Sequence, residues 1–456
     1  MSAPGLEAYI ESVRGEFEAR LEEWVGIPTI SAFPNRRGDI DRGAAAAVEY
    51  LKSLGARADI MPTEGNPVVV GKFLSDPAHP TVTVYNHLDV QPADEPEWDT
   101  EPFVMRNDSG TYIGRGTTDD KGPALTALMA ARYAHDTAIP LNVHIIWELE
   151  EEIGSPSFES FVAKNVEGLS TDSVVISDTI WVSRSRPAIP CGLRGLLSIL
   201  VSLETGTKDV HSGLTGGGAR NPLAEICALM ARCHDASTGR VRIDGFYDDV
   251  VAATDSEIEG FVASGFSASL FKQAHELKLI RSTDTADLVR RIWTEPTFEV
   301  HGILGGYTGP GVKTAIPPRA QAKISMRLVP GQSPLKIFEI VRTFIEKENP
   351  DVKVELDSTL APFLGPDTGP YADAAIDAME TAFGTTPALV REGGSIGAVV
   401  TMEHHLQAPI VFLGLSLPEH GYHAPNENFD WQQASGGIRM FVRYFENVAG
   451  IKGREA

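Results

Sequence analysis

The chain has 456 residues, with 39 Lys plus Arg against 62 Asp plus Glu and a formal net charge of −23. This length predicts two or three domains with at least one large core and excludes a small stapled scaffold, while the negative field disfavours nucleic acid and anionic membrane surfaces as partners. Three cysteines, Cys191, Cys227 and Cys233, lack C-x-x-C spacing, which excludes a disulfide framework or a thiolate zinc site and points to a reducing, cytoplasmic home.

At the start of the chain, Met1 to Leu21 lacks the basic opening and apolar run of an export signal. Within it, Leu6, Tyr9, Ile10, Val13, Phe17, Leu21 and Trp24 recur at three and four residues, the stripe of an amphipathic helix over Leu6 to Val25. A second helix is expected over Arg42 to Leu54, then strands at Ala58 to Met61, Pro67 to Phe73 and Thr81 to Tyr85. Pro123 opens a helix to Tyr133, and apolar runs follow at Val143 to Leu149 and Ser173 to Ser177. Strands apolar on both faces and separated by helices predict an α/β fold with a mainly parallel sheet covered by helices on both faces.

After Pro187 the pattern changes. Leu196 to Leu203, Phe298 to Leu304, Gln321 to Val329 and Val352 to Leu356 read as strands, with helices at Pro222 to Cys233 and Pro334 to Lys347 and a helical stretch over Asp255 to Leu279. This describes a smaller α+β domain. A helix at Tyr371 to Phe383 and a buried strand at Ile410 to Leu415 return to the first style. The second domain is therefore expected as an insertion in the first, with residues 1–188 and 365–456 forming one unit and 189–364 the other.

Open α/β sheets carry their functional residues beyond the carboxyl ends of the strands. Here the apolar runs lead into His87-Leu88-Asp89, Glu150-Glu151-Glu152, Asp178, and the pair His420 and His423. A Gly-bounded loop, Gly114 to Gly122, adds Asp119 and Asp120. Imidazoles and carboxylates without thiolates suit a catalytic zinc, manganese or cobalt site, and five or six such ligands match two ions sharing a carboxylate. Strand alternation lets Asp89 orient the imidazole of His87. Glu151 and Glu152 diverge, so one can hold metal while the other acts as general base.

The segments Tyr85 to Pro92, Trp98-Asp99, Glu101 to Phe103 and Gly114 to Pro123 resemble the dinuclear zinc metallopeptidase family that includes carnosine dipeptidase, Cys-Gly dipeptidase, aminoacylase and succinyl-diaminopimelate desuccinylase. Further along, Ile176 to Asp178, Gly192 to Gly195, His211 to Gly213, Arg327 to Pro330 and Arg391 to Ile396 resemble its dipeptidase branch in order. The resemblance implies a zinc-peptidase-like catalytic domain with an inserted lid and dimerisation domain. It also implies cleavage of a short peptide, most simply a dipeptide, by water held between two divalent ions, zinc first with manganese or cobalt as alternatives. Asp119 would bridge both ions, His87 and Asp178 would complete one, and Glu152 and His423 the other. Glu151 would be the base, Asp89 would steady His87, and the Asp119–Asp120 peptide would be cis. His211, reaching across a homodimer, would stabilise the oxyanion; Arg327 with Ser395 and Thr314 would hold a substrate carboxylate. The sequence Glu419-His420-Gly421-Tyr422-His423 departs from the family pattern and leaves His420 as a competing ligand, with His423 preferred for its place before Asn426-Glu427.

Three other readings compete. An N-acyl amino acid amidohydrolase would use the same metal chemistry on a different acyl group, and a metal-free peptide-binding protein would need none of the ligands retained here. Gly393-Gly394-Ser395-Ile396-Gly397 matches the G-x-S-x-G elbow of serine hydrolases, but Asp430 is the only Asp after Ser395 and no His follows it, so that only Glu403 or Glu419 with His420 or His423 could complete a triad. The loop Gly306 to Thr314 has Val312 between its last Gly and Lys, and is expected as a turn or substrate-facing loop rather than a phosphate cradle.

Overall fold

The computed structural model describes residues 5–451. Its centre is a six-stranded sheet in the order 57–61, 68–73, 142–148, 81–87, 173–176, 410–412. Pairings among the last four strands are parallel, and the first two join antiparallel at one edge. Strand Asn142–Glu148 is buried at every position, as expected where helices cover both faces. Ile145 lies in one core with helices Leu6–Val25, Gly122–Asp136 and Trp431–Ala449, while its neighbour Ile146 lies in a second core with Phe158, Val399 and Met402.

A separate core gathers around a four-stranded antiparallel sheet in the order 299–305, 319–328, 195–204, 352–360. Helices Pro222–Cys233 and Pro334–Glu348 pack on one face of it. Both begin as the sequence indicates, with Pro at the first turn and an Asn221 or Ser333 side chain capping the free amides. The chain therefore holds an α/β unit with an α+β unit inserted in it. Strand Ala188–Leu193 straddles the expected 188/189 boundary and pairs in parallel with Ala388–Glu392 of the later segment.

The helical stretch expected over Asp255 to Leu279 is broken into Asp255–Ala263 and Ala268–Ala274. The break falls at Gly265, whose φ of +92° cannot continue a right-handed helix. The strand expected over Ile410 to Leu415 ends at Phe412.

Candidate functional site

Four strand ends and two loops converge at the carboxyl edge of the central sheet. Strand Thr81–His87 ends in His87, which is fully buried, with Nε2 2.9 Å from Asp119 Oδ1 and 3.7 Å from Asp178 Oδ2. Its Nδ1 lies 3.0 Å from the Asp89 carbonyl oxygen and 3.5 Å from the Asp89 carboxylate. The steadying of His87 thus runs first through the Asp89 backbone. The carboxylate of Asp89 instead accepts the amides of Glu151 and Glu152, at 3.2 and 3.1 Å, and fixes the turn after strand Asn142–Glu148.

Asp119 is set by its loop. The Asp119–Asp120 peptide is cis. The Glu427 carboxylate accepts the amides of Gly116, Thr118 and Asp119 at 3.0, 3.0 and 3.1 Å and pairs with Arg115 at 2.8 Å. Asp120 turns the other way and accepts from the Asn86 side chain at 2.8 Å. His423 Nε2 lies 2.9 Å from Asp119 Oδ2 and 3.1 Å from Glu152 Oε2, and Gln91 donates to that same Glu152 oxygen at 2.7 Å. Asp178 accepts the Tyr422 hydroxyl at 2.7 Å.

Ligand atoms of His87, Glu151 and Asp178 lie within 4.8 Å of one another, as do those of His87, Asp119 and Glu152. The electrostatics fit a cation. Burial first, and neighbouring carboxylates second, raise Glu151 well above the usual range and also raise Asp178 and Glu152. For His87 burial works against the charged form, but hydrogen bonds to Asp119 and Asp89 outweigh it and hold the imidazole well above its usual value. Asp119 is held low because the His423 and His87 imidazoles that face it outweigh burial. Four carboxylates against two imidazoles leave an excess of negative charge, and the buried Asp119 Oδ2 has no well-aligned hydrogen-bond donor. Such a donor set is suited to divalent ions with oxygen and nitrogen preference.

His420 is committed elsewhere: its Nδ1 meets Thr118 Oγ1 and the Leu417 amide at 3.0 and 3.1 Å, and its Nε2 faces Asp430 at 3.3 Å. Ser395 Oγ accepts from Arg327 Nη1 at 3.0 Å and donates to the Arg194 carbonyl, with no histidine bonded to it. A serine triad is therefore not assembled. Arg194 is pushed down to about 10 by burial and then by the Arg327 charge beside it. His211 and Thr314 lie apart from this cluster, exposed and adjacent in the inserted unit. There the Gly213 amide donates to His211 Nδ1 at 3.0 Å and the Ser212 amide to the Thr314 carbonyl at 3.0 Å.

Tyr422, Glu427, Gln91 and Arg194 were not singled out by strand-end reasoning. Arg194 lay in view within Gly192 to Gly195, and Glu427 beside His423, but what each touches is set by distant segments.

The peptidase family M20/M25/M40 matches residues 83–447. The chain is 32% identical to the Beta-Ala-His dipeptidase of Homo sapiens, over 97% of this chain and 92% of that protein. It is 31% identical to the Cys-Gly metallodipeptidase of Schizosaccharomyces pombe, over 99% of both. The crystal structure of an M20 family metallo-carboxypeptidase from Sulfolobus solfataricus superimposes with a TM-score of 0.88 at 31% identity, covering 96% of this chain and 100% of that one. With its imidazoles and carboxylates gathered at one sheet edge and relatives matched over nearly its full length, the chain belongs to the peptidase family M20/M25/M40.

Proposed function

We propose that this chain is a dipeptidase using two divalent ions, in which Glu151 is the general base. The observation that carries this reading is the convergence of His87, Asp119, Glu151, Glu152, Asp178 and His423 at one edge of the sheet. His87 and Asp178 would hold one ion, Glu152 and His423 the other, with Asp119 between them. When bound, the ions would polarise the scissile carbonyl and make a nearby water easier to deprotonate; zinc, manganese and cobalt all suit the donor set.

The protein's own groups do the rest. Glu151 takes a proton from the attacking water and passes it to the departing amine, so one carboxylate serves both halves of the reaction. Asp89 keeps Glu151 and Glu152 in their turn by accepting both amides. Arg327 and Ser395 receive the substrate carboxylate, and Arg194 adds a second guanidinium beside them; Thr314, which lies beside His211 and apart from them, would join only from a partner copy. His211, from a partner copy, would supply the donor for the oxyanion. Support for a homodimer comes from edge strand Glu299–Gly305 and its exposed Val300, Ile303 and Leu304. A cytoplasmic location accords with three free cysteines, and no helix among the described residues is long and apolar enough to cross a membrane.

The test is amine release from a panel of dipeptides, tripeptides and N-acyl amino acids after metal removal and separate reloading with zinc, manganese or cobalt. Metal-dependent cleavage favouring dipeptides is expected, with mass measurement in solution giving two copies. Cleavage that survives complete metal removal overturns the reading, and preference for N-acyl amino acids replaces it with the amidohydrolase.

A further inference from the structure

Away from the catalytic edge, strands Arg57–Met61 and Val68–Phe73 and helix Phe158–Asn165 border a cavity of about 350 Å³. That lies in the lower part of the range, roughly 300 to 1,000 Å³, of sites that hold small molecules. Val70, Phe161 and Leu169 give it an apolar wall, while Arg57, Lys72, Asp59 and Asn165 bring charge and an amide to it. Lys72 pairs in register with His144, four residues before Glu148, so the cavity stands about 13 Å back along the sheet from the strand end that leads to Glu151.

Its polar groups are out of balance. Arg57, Lys72, His144 and Thr83 lie side by side on neighbouring strands, each in register with the next, and so share one face of the sheet. Lys72 donates to the Gly168 carbonyl, but burial alone acts on its charge, lowering it, and no carboxylate offsets that. Arg57 and Asp59, two residues apart on the same face, form no ion pair among the described residues. Beyond the cavity wall His144 and Thr83 are buried, and neither His144 Nδ1 nor Thr83 Oγ1 has a hydrogen-bond partner. A row with this many basic groups and no acid of its own is completed by a carboxylate, and Asp59 by a cation.

We propose that this cavity binds a free apolar amino acid, with its carboxylate on Arg57 and Lys72, its ammonium on Asp59 and its side chain against Val70, Phe161 and Leu169. Successive residues on one face of a strand stand about 7 Å apart, so Arg57 and Asp59 can hold the two charged groups of one α-amino acid between them. A simple organic acid leaves Asp59 unpaired, and a simple amine leaves Arg57 and Lys72 unpaired. A dipeptidase releases such molecules, yet the site rests on its own chemistry and not on that reading.

Both walls of the cavity are tied to the catalytic turn. Glu150, next to Glu151, accepts the Asn66 amide from the loop joining the two strands, and the Ser157 amide, 3.2 Å away, at the start of helix Phe158–Asn165. Asn66 also donates to the Leu149 carbonyl at 2.9 Å. A ligand that draws the strands and the helix together therefore acts on the turn that carries Glu151, and its presence is felt in kcat.

The experiment titrates L-leucine, leucinamide and 4-methylpentanoate into the metal-loaded full chain by calorimetry, for wild type, Lys72→Gln, Asp59→Asn and Arg57→Ala, with thermal unfolding alongside. Wild type should bind leucine, and should bind leucinamide, which lacks the carboxylate, and 4-methylpentanoate, which lacks the ammonium, roughly tenfold or more weakly. Lys72→Gln and Asp59→Asn should each weaken leucine binding to a similar degree while cleavage of a leucine-free dipeptide is unchanged; Arg57→Ala, at an exposed side chain, decides if Lys72→Gln unfolds. Leucine should also change the kcat of wild type at saturating dipeptide, and the variants should lose that change. No binding of leucine, binding that all three variants retain in full, equal binding of the three ligands, or inhibition that saturating dipeptide removes entirely overturns the proposal and leaves the dipeptidase reading intact. If no dipeptide is cleaved, the dipeptidase reading falls, and the calorimetry still decides the site.

Discussion

Strand Asn142–Glu148 of the central sheet is buried at all seven positions, whereas strand Gly195–Glu204 of the inserted sheet alternates buried and half-exposed side chains through Leu203. The first sheet lies between two cores, one containing Ile145 and the other Ile146; the second packs one face on helices and leaves the other open. A sheet enclosed on both sides can present reactive groups only where its strands stop, and its carboxyl edge is where His87 and the carboxylates gather. A sheet covered on one side can project a side chain such as Arg327 from its open face toward another unit, as the contact with Ser395 shows. Under the proposed function, chemistry then falls to the strand ends of one sheet and recognition to the open face of the other.

The strongest break in this comparison separates chemistry from recognition. Glu151→Gln, at the enclosed sheet's edge, is expected to lower kcat by about 10²- to 10⁴-fold with little change in KM or metal content. Arg327→Ala, on the open face, should act mainly through KM. If both variants shifted kcat and KM alike, the division would fail.

Stability sharpens the same contrast. Ile145→Ala and Ile146→Ala, adjacent residues in different cores, should each cost about 2–5 kcal/mol in denaturant unfolding. In the inserted sheet Val201→Ala should be clearly destabilising, while its half-exposed neighbour Leu200→Ala should cost much less. Comparable losses at all four positions would mean that the second face is covered as fully as the first.

A titration adds a smaller effect specific to the enclosed sheet. His144 is buried with no partner for Nδ1, and burial, then the charge of Lys72, hold it down to about 4. The unfolded chain, with an ordinary histidine, takes up the proton first as pH falls. His144 therefore contributes fully above about pH 6.5, and that contribution is lost as pH drops from there to about 4, by roughly 3 kcal/mol in all. His144→Gln should flatten that part of the stability curve; an unaltered curve would show that the ring finds a partner when protonated.

Much of this was legible in local pattern. Apolar runs marked the strands of the central sheet, and inspecting the residue after each run led to His87, Glu151, Glu152 and Asp178, because strand direction determines which end bears the chemistry. Short-range pattern failed where a contact spans the chain. Tyr422 reaches Asp178 and Glu427 reaches Gly116 across hundreds of residues, and no periodicity encodes such a meeting. The commitment of His420 to Thr118 was hidden for the same reason, leaving two histidines competing in the sequence. The break at Gly265 was visible as a residue type, yet the apolar spacing around it continued as if for one helix.

The Glu427 carboxylate has a consequence for how the protein is made. It satisfies three amides of the loop bearing Asp119, 308 to 311 residues earlier. As the chain leaves the ribosome, His87, Asp119, Glu151, Glu152 and Asp178 emerge well before Tyr422, His423 and Glu427. Until that stretch appears, the early loop lacks its anchor and the cluster lacks an imidazole. Assembly of the site therefore waits until the chain has passed beyond the inserted unit, and a chain halted within that unit carries most of the reactive groups without the carboxylate that fixes the Asp119 loop.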